Sequence, residues 1–349
     1  MTIDNSIVIR NIFYMLTYAF QQLRQNNYER IACEDFDNIY DLFAEILCKG
    51  VSSQLKQGLH REYISHSETL STIRGKINLS KTIKYRIQRS NKLECEYDVY
   101  TENNQLNQIL KSTMLLLFKH AKVKKGRKRM LKELLIFFSN IDSLDLSAIR
   151  WSTIKIERNN RTYQMLINIC RFVYDEYIQT TEDGGFKMKK ISDEYMSKLY
   201  EKFILEYFKR HHPELHPRSS RIEWNIEPQD STLDVIPEML SDITLTSENR
   251  VLIIDAKYYG KTMQYNFNKA SIHSHNLYQI FTYVTNHSKN TDKRVDGMLL
   301  YAKTQEEKVP NGEMKLKDSN SIYFKTLDLD CDFEMIKEQL ECIAKTAQD

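Results

Sequence analysis

Two aspartates and one lysine in the second half of the chain have residue types and a spacing that could support metal-dependent hydrolysis. Asp255 and Lys257 lie near the end of segment 251–259, whose β-forming residues predict a strand. Side chains alternate along a strand, so these two share one face. Asp242 lies in segment 238–245, and the polar residues 246–249 between the two segments predict a hairpin. Such a hairpin would bring Asp242 beside Asp255, so that two carboxylates and one amine share a pocket.

This grouping predicts the chemistry of phosphodiester hydrolysis. Two neighbouring carboxylates repel each other unless a divalent cation lies between them, and Mg²⁺ is commonly held by one or two carboxylates together with water and substrate phosphate. Asp242 and Asp255 are therefore the expected metal ligands. Lys257 is expected to orient or deprotonate the attacking water and to offset negative charge in the transition state. The alternative is a purely structural ion pair between Asp255 and Lys257.

A helix predicted at 273–285 supplies two supporting candidates. Gln279 and Tyr283 are i, i+4 neighbours, so they share one helical face. Both are expected to face either a substrate phosphate or Lys257. The alternative is that they only pack against neighbouring elements or lie at the surface.

The elements that must position these side chains follow from hydropathy patterning. After residue 187 the pattern predicts helices at 193–210 and 273–285, and strands at 221–227, 233–245, 250–259, 295–303 and 321–328. This order is typical of an α/β fold in which helices flank a mixed central sheet. The preceding region is predicted to be mixed α+β, with helices at 11–23, 38–57, 106–119, 129–138 and 162–179 and short strands at 61–67 and 74–79.

The length of the chain and an interruption in its secondary-structure pattern indicate two domains. The chain has 349 residues, more than one hydrophobic core usually organises. Paired glycines within the polar segment 181–186 interrupt both helix and strand patterns. We therefore expect an N-terminal domain at 1–183 and a second domain, carrying the candidate site, at 187–349.

Composition excludes several classes of protein. With 41% hydrophobic and 28% charged residues, the chain has the composition of a folded protein. No segment is long and apolar enough to cross a membrane, and the first 20 residues do not resemble a signal peptide, so we expect a cytoplasmic protein. The 6 cysteines form no CxxC pair, which argues against a thiolate zinc site or a disulfide framework.

A basic segment stands out against the small net charge of +3. Segment 119–132 contains lysines and arginines at many positions and no acidic residue. Such a segment is often a solvated face or loop. It could equally contact phosphate or an acidic partner, and the sequence leaves these alternatives open.

The candidate residues resemble the PD-(D/E)xK nuclease superfamily. Asp242 matches the first acidic position, 255–257 match DxK, and Gln279 with Tyr283 match the QxxxY element of one branch. The proline of the motif name is absent, since Ser241 precedes Asp242. The superfamily implies a PD-(D/E)xK core and a Mg²⁺-dependent deoxyribonuclease.

The resemblance to that superfamily also implies a further glutamate on the first helix of the core. Glu201 and Glu206 both qualify, and Glu201 is the slight favourite. A salt bridge on the helix surface is the equal alternative for either.

A second resemblance covers nearly the whole chain. It is to the McrC family, the nuclease subunits of McrBC modification-dependent restriction systems, and it is carried by segments 9–19, 73–77, 104–111 and 255–259. That family implies cleavage of double-stranded DNA containing methylated cytosine, together with a separate McrB-like AAA+ GTPase hexamer. The partner binds GTP, and the N-terminal domain of the McrC-like subunit stimulates GTP hydrolysis. Residues that contact the GTPase are not assigned by the sequence.

The chain itself is not expected to bind a nucleotide. Residues 260–262 read Gly-Lys-Thr, like the end of a P-loop, but Asp255 occupies the position where the P-loop needs its first glycine. Two other functions stay open: a stand-alone PD-(D/E)xK repair nuclease, and a non-catalytic regulatory subunit of an AAA+ NTPase.

Overall fold

The structure is a computed structural model that describes residues 6–20, 23, 36, 38–156, 160–181, 186–226, 236–258, 263–266, 269–303 and 309–348. Within these residues the helices are α1 (Ser6–Ala19), α2 (Ile39–Gln57), α3 (Leu79–Ile87), α4 (Gln105–Lys119), α5 (Lys125–Ile136), α6 (Arg161–Thr181), α7 (Phe186–His211), α8 (Ser274–Ser288) and α9 (Phe333–Gln348). The strands are β1 (Glu62–Leu70), β2 (Lys76–Ile77), β3 (Leu93–Thr101), β4 (Arg221–Ile222), β5 (Met239–Leu240), β6 (Ile243–Thr246), β7 (Arg250–Lys257), β8 (Met263–Asn266), β9 (Lys269–Ile272), β10 (Arg294–Ala302), β11 (Gly312–Lys315) and β12 (Ser321–Leu327).

The chain divides into two compact units. One consists of residues 39–174, and the other combines residues up to 38 with residues 175–349. The predicted division into 1–183 and 187–349 differs from this arrangement in two ways. The boundary falls within α6 rather than at the glycines, and the first helix belongs with the C-terminal part of the chain.

The unit at 39–174 is mixed α+β, as its sequence predicts. A three-stranded antiparallel sheet has the order β1-β3-β2, and β1 pairs with β3 along its whole length, from Glu62 opposite Thr101 to Leu70 opposite Leu93. Helix α3 begins after Asn78, whose side chain accepts a hydrogen bond from the backbone N–H of Lys81. The sequence pattern indicates short strands up to residue 100 without specifying β3, and it does not predict α3.

Part of the basic segment 119–132 lies in this unit's core. Arg127 donates hydrogen bonds to Asp41 at 2.5 Å and to Glu45 at 3.0 Å, and all three side chains are largely buried. Buried charges of this kind are stable only when paired. At least one arginine of the segment therefore has a structural role.

The second unit is built around a mixed sheet, whose order within the described residues is β11-β12-β10-β7-β6. Strands β7, β10 and β12 are parallel, and the edge strands β6 and β11 are antiparallel to their neighbours. Both faces of β7 are buried, since Leu252 and Ile254 are as inaccessible as Val251 and Ile253. Near-continuous apolar runs are typical of parallel strands covered by helices on both sides. The predicted mixed α/β architecture with a helix-flanked central sheet is confirmed at this level.

Helix α8 covers the face of the sheet that carries Val251 and Ile253, through a cluster that includes Ile280 and Val284. The approach is closest at Gly297 in β10. A Cβ atom there would lie 2.7 Å from Ile280 Cγ1 and 2.8 Å from Val284 Cγ2, so glycine is required for this spacing. Helices α7 and α9 also contact β7.

Helix α1 packs within the same unit through aromatic side chains. Tyr14 stacks on Phe333 of α9 with ring centroids 4.3 Å apart, and Tyr18 meets Phe203 of α7 edge-on at 5.5 Å. The buried Asn11 side chain donates hydrogen bonds to the carbonyls of Leu329 and Cys331, both at 2.8 Å. These long-range contacts explain why α1 belongs to the unit that contains residues 175–349.

Several predicted bounds differ from the observed ones. The first helix spans Ser6–Ala19 instead of 11–23, and α9 was not predicted. The strand predicted at 221–227 comprises only Arg221–Ile222 among the described residues, and the one at 233–245 is divided into β5 and β6 around Ser241 and Asp242. Among the described helices, none combines the length and apolarity needed to cross a membrane.

Candidate active site

The hairpin that positions the first aspartate is present. Strand β6 pairs antiparallel with β7, with Thr246 opposite Val251 and Ile243 opposite Ile254. Asp242 immediately precedes β6, and continuing the same register places it beside Asp255. The predicted pairing is confirmed by this register, since a shift of one residue would have turned the side chains to opposite faces.

Asp242 is fixed by a backbone contact. Its Oδ2 accepts a hydrogen bond from the backbone N–H of Ala256 at 2.8 Å. Burial and the nearby charge of Asp255 raise the pKa of Asp242 to about 7, while Lys257 and the Ala256 N–H act in the opposite direction. Burial also raises the pKa of Asp255, against the lowering effect of Lys257. The charge of Asp255 thus destabilises the charged form of Asp242, as expected for adjacent acids, whereas a hydrogen bond with Asp242 acts to lower the pKa of Asp255.

Lys257 lies over the second carboxylate. Its Nζ is 2.9 Å from both oxygens of Asp255 and donates a hydrogen bond to Oδ1. The Lys257 side chain is only 13% exposed and that of Asp255 only 1%. The ion pair predicted as the alternative is therefore present, but it involves a carboxylate that also adjoins a second acid.

One oxygen in this group can accept a further ligand. Oδ2 of Asp255 is buried and accepts no well-aligned hydrogen bond within the described part of the chain, although Lys257 Nζ lies 2.9 Å from it. A carboxylate oxygen offers about two lone-pair sites, so Oδ2 can still bind a cation beside this ammonium group. Oxygen donors of this type suit Mg²⁺, so Asp242 and Asp255 fit the expected metal.

The described residues contain no group of three His, Cys, Asp or Glu side chains close enough together to enclose a metal ion. This arrangement remains compatible with Mg²⁺, which usually takes one or two carboxylates and completes its shell with water and phosphate oxygens.

Of the two candidate glutamates on α7, Glu201 is the one that interacts with this group. Burial and the charge of Asp242 raise the pKa of Glu201 to about 7, whereas Lys257 lowers it. Ser197, one turn earlier, donates a hydrogen bond to Glu201 Oε1 at 3.0 Å. Glu206 instead forms an ion pair with Lys209 at 2.8 Å, three residues away on the same helix.

Gln279 and Tyr283 extend the group into α8. Lys257 Nζ donates to Gln279 Oε1 at 3.3 Å, and Gln279 Nε2 donates to the Tyr283 hydroxyl at 2.9 Å. That hydroxyl donates in turn to the carbonyl of Leu240 at 3.1 Å. The structure therefore brings Asp242, Asp255, Lys257, Gln279 and Tyr283 together, with Glu201 coupled electrostatically.

Three contributors were not identified from the sequence. The Ala256 N–H and the Leu240 carbonyl are backbone groups, which leave no side-chain signal. Ser197 could have been found, because it lies four residues before Glu201 on the same helical face. Residues 260–262, which resemble the end of a P-loop, lie outside the described residues.

Sequence similarity to known proteins assigns this chain to a family. A sequence profile described as "McrBC 5-methylcytosine restriction system component" matches residues 3–302. The Type IV methyl-directed restriction enzyme EcoKMcrBC of Escherichia coli (strain K12) is 30% identical over 301 residues, which span 84% of this chain and 86% of that protein.

Two structures of Thermococcus gammatolerans assemblies are also similar. A half-complex from a tetradecameric assembly of McrB AAA+ hexamers with bound McrC is 18% identical, with a TM-score of 0.45, and the match covers 94% of this chain and 75% of that chain. For the cryo-EM structure of the McrBC complex, the identity is 20%, the TM-score 0.40 and the coverage 60% of each chain. On the sequence profile and the E. coli relative, the chain belongs to the McrBC 5-methylcytosine restriction system component family.

Proposed function

We propose that this chain is the DNA-cutting subunit of a restriction complex and that it hydrolyses phosphodiester bonds with a divalent cation held by Asp242 and Asp255. The observation that carries the proposal is that these two buried carboxylates lie side by side, with the Lys257 amine in contact with both oxygens of Asp255. Membership in a restriction-system family supports the same function.

Each side chain has a separate task in this proposal. Asp242 and Asp255 supply the metal oxygens, and Glu201 adds a third carboxylate near Asp242. Bound Mg²⁺ would polarise the phosphodiester and activate water for attack. Lys257 orients the water and offsets charge on the phosphorus oxygens as they become more negative. Gln279 positions the lysine amine.

The partner is proposed from the family. The similar Thermococcus assembly contains McrB AAA+ hexamers with bound McrC. We propose that this chain likewise acts with a McrB-like AAA+ GTPase hexamer, stimulates its GTP hydrolysis, and cuts double-stranded DNA carrying methylated cytosine. In this division of labour, the partner binds GTP, and the residues before 183, chiefly the unit at 39–174, contact the partner.

A plasmid cleavage assay tests the proposal. Methylated and unmethylated plasmids are incubated with Mg²⁺ and GTP, with and without the cognate GTPase, using the wild type and Asp255→Asn. Asp330→Asn, an exposed site distant in sequence, is the matched control. We expect the wild type and the control to cut methylated plasmid only with the partner, and Asp255→Asn to stimulate GTP hydrolysis without cutting.

The other outcomes identify other functions. Cutting by the wild type alone would indicate a stand-alone nuclease. Stimulated GTP hydrolysis without cutting by the wild type would indicate a regulatory subunit. Cutting retained by Asp255→Asn would contradict the assignment of the site.

A further inference from the structure

A second polar pocket lies at the opposite end of the central sheet. Arg250 begins β7 and Lys257 ends it, so about 23 Å of strand separates the two ends at roughly 3.3 Å per residue. At the Arg250 end, the starts of β7, β10 and β12 and the end of β11 enclose a cavity of about 480 Å³. The proposed hydrolysis uses none of these residues.

Two arginines on adjacent strands form one wall. Arg250 and Arg294 are paired in register, and both donate to the wholly buried carboxylate of Asp296. Arg250 also donates to the Tyr323 hydroxyl at 2.9 Å, and Arg294 to the Ser321 hydroxyl at 3.2 Å. These contacts hold both guanidinium groups in place before any ligand arrives. A single aspartate leaves the arginine pair with excess positive charge.

Lys315 and Glu313 also line the cavity, and both are exposed. Glu313 accepts a hydrogen bond from Ser321 at 2.8 Å and keeps its negative charge, so Arg250, Arg294 and Lys315 outnumber Asp296 and Glu313 by one positive charge. Ser319, in the turn between β11 and β12, also lines the cavity.

The chemistry of the walls selects the ligand. Arginine pairs recognise phosphate through several parallel hydrogen bonds, and a phosphate monoester carries a charge of about −1.5 to −2 at neutral pH. The cavity is larger than one phosphate group and falls within the usual range of small-ligand sites. We propose that this pocket, defined by Arg250, Arg294 and Lys315, binds a phosphate group, either of a small phosphate ester or of a DNA backbone.

Calorimetric titration of the full chain tests the proposal. The probes are inorganic phosphate, a deoxynucleoside 5′-monophosphate and a short blunt DNA duplex. The buffer contains EDTA so that no metal bridges phosphate to Asp255. Ionic strength is matched with chloride, because surface charges are screened by salt. We expect saturable binding of at least one probe by the wild type.

Single-charge variants locate the binding. Lys315→Gln and Arg294→Gln should each weaken binding about fivefold, the effect of losing one favourable charge contact. Lys317→Gln removes an equal charge from an exposed neighbour that does not line the cavity, and it should change affinity less than twofold.

The probes distinguish the sources of phosphate. Weakened binding of phosphate or mononucleotide, with duplex affinity unchanged, identifies a small ligand. A second outcome is that the variants bind the duplex more weakly, with the slope of log affinity against log salt concentration reduced by about one phosphate contact. That result identifies the DNA backbone as the ligand. No saturable binding of any probe overturns the proposal, as does equal weakening by Lys317→Gln.

Discussion

The carboxylate of Asp242 accepts a hydrogen bond from the backbone N–H of Ala256, the residue between Asp255 and Lys257. This contact joins the residue that precedes β6 to the centre of the DxK triplet in β7. It fixes the separation of the two carboxylates through the backbone of the hairpin. Changes at the hairpin should therefore alter the site without touching its charged side chains.

Removing the charge of Asp242 should stabilise the metal-free protein. The pKa of Asp242 is raised to about 7 in the folded state, so the folded chain binds more protons than the unfolded chain between about pH 4 and 7. Stability therefore falls as pH rises through that window. At pH 8 without metal, Asp242→Asn should raise the free energy of unfolding by roughly 1–4 kcal/mol, measured by urea denaturation.

Two controls accompany this measurement. Mg²⁺ should stabilise the wild type and have a much smaller effect on Asp242→Asn, because binding to the folded state alone raises stability. Asp330→Asn should match the wild type under both conditions. A less stable Asp242→Asn variant at pH 8 would contradict the inferred repulsion.

Cleavage at limiting Mg²⁺ should increase with pH. Burial and neighbouring charge raise the pKa values of Glu201 and Asp242 to about 7, so both carboxyls are largely protonated at pH 6 and ionised at pH 8. Metal and protons compete for these oxygens, so higher Mg²⁺ should move the midpoint of the profile to lower pH. Initial cleavage rates at two Mg²⁺ concentrations between pH 6 and 8.5 check this.

The two glutamates of α7 provide a matched pair for the same assay. Glu201→Gln should lower the rate at least tenfold and flatten the profile, because one of its ionising groups is lost. Glu206→Gln disrupts the ion pair with Lys209 and a charge interaction with Lys202, and it should leave rate and profile unchanged. Equal effects of the two substitutions would exclude a role for Glu201 in the site.

Tyr283 should act by orienting Gln279. Its hydroxyl accepts from Gln279 Nε2 and donates to Leu240, which leaves the Gln279 oxygen facing Lys257. Tyr283→Phe should lower kcat by roughly three- to tenfold with little change in KM, as expected for a positioning residue. Tyr278→Phe on the exposed face of the same helix is the control. A change confined to KM would indicate substrate binding instead.

Gly297→Ala tests whether the spacing of α8 matters. The added methyl would lie within 3 Å of Ile280 and Val284, so the helix must shift. Overpacking of this kind should cost about 1–3 kcal/mol of stability and, by displacing Gln279, reduce cleavage even at temperatures where the variant is folded. Gly126→Ala, which meets nothing within 4 Å inside α5, should leave cleavage unchanged and raise the melting temperature slightly, because alanine favours a helix over glycine. Unchanged cleavage by a destabilised Gly297→Ala variant would show that the position of α8 is not critical.

Local patterns predicted the strand pairing that brings Asp242 beside Asp255. The strand of Asp255 and Lys257 has continuous β-forming residues, and a short polar turn before it sets the register that places Asp242. Both signals are contained in about fifteen consecutive residues, so no knowledge of distant packing was needed.

Features that depend on distant contacts were not predictable in this way. The choice between Glu201 and Glu206 depends on which face of α7 meets the sheet, and both positions satisfy the helical pattern equally. The association of α1 with α7 and α9 depends on contacts such as that between Tyr14 and Phe333, more than three hundred residues apart. Helix α9 had a readable amphipathic pattern, with Ile336, Leu340, Ile343 and Ala347 buried, and was simply overlooked.

The position of α1 also determines the order in which this unit can be completed during synthesis. The ribosome makes α1 before residues 39–174, whereas Phe333 and the carbonyls that accept from Asn11 are made after them. The aromatic face of α1 must therefore remain without these partners until residues 329–333 have been translated. The residues of the unit at 39–174 are all available earlier, and domains commonly fold as units during translation. The unit that carries the candidate site is therefore completed after the unit at 39–174 has been made.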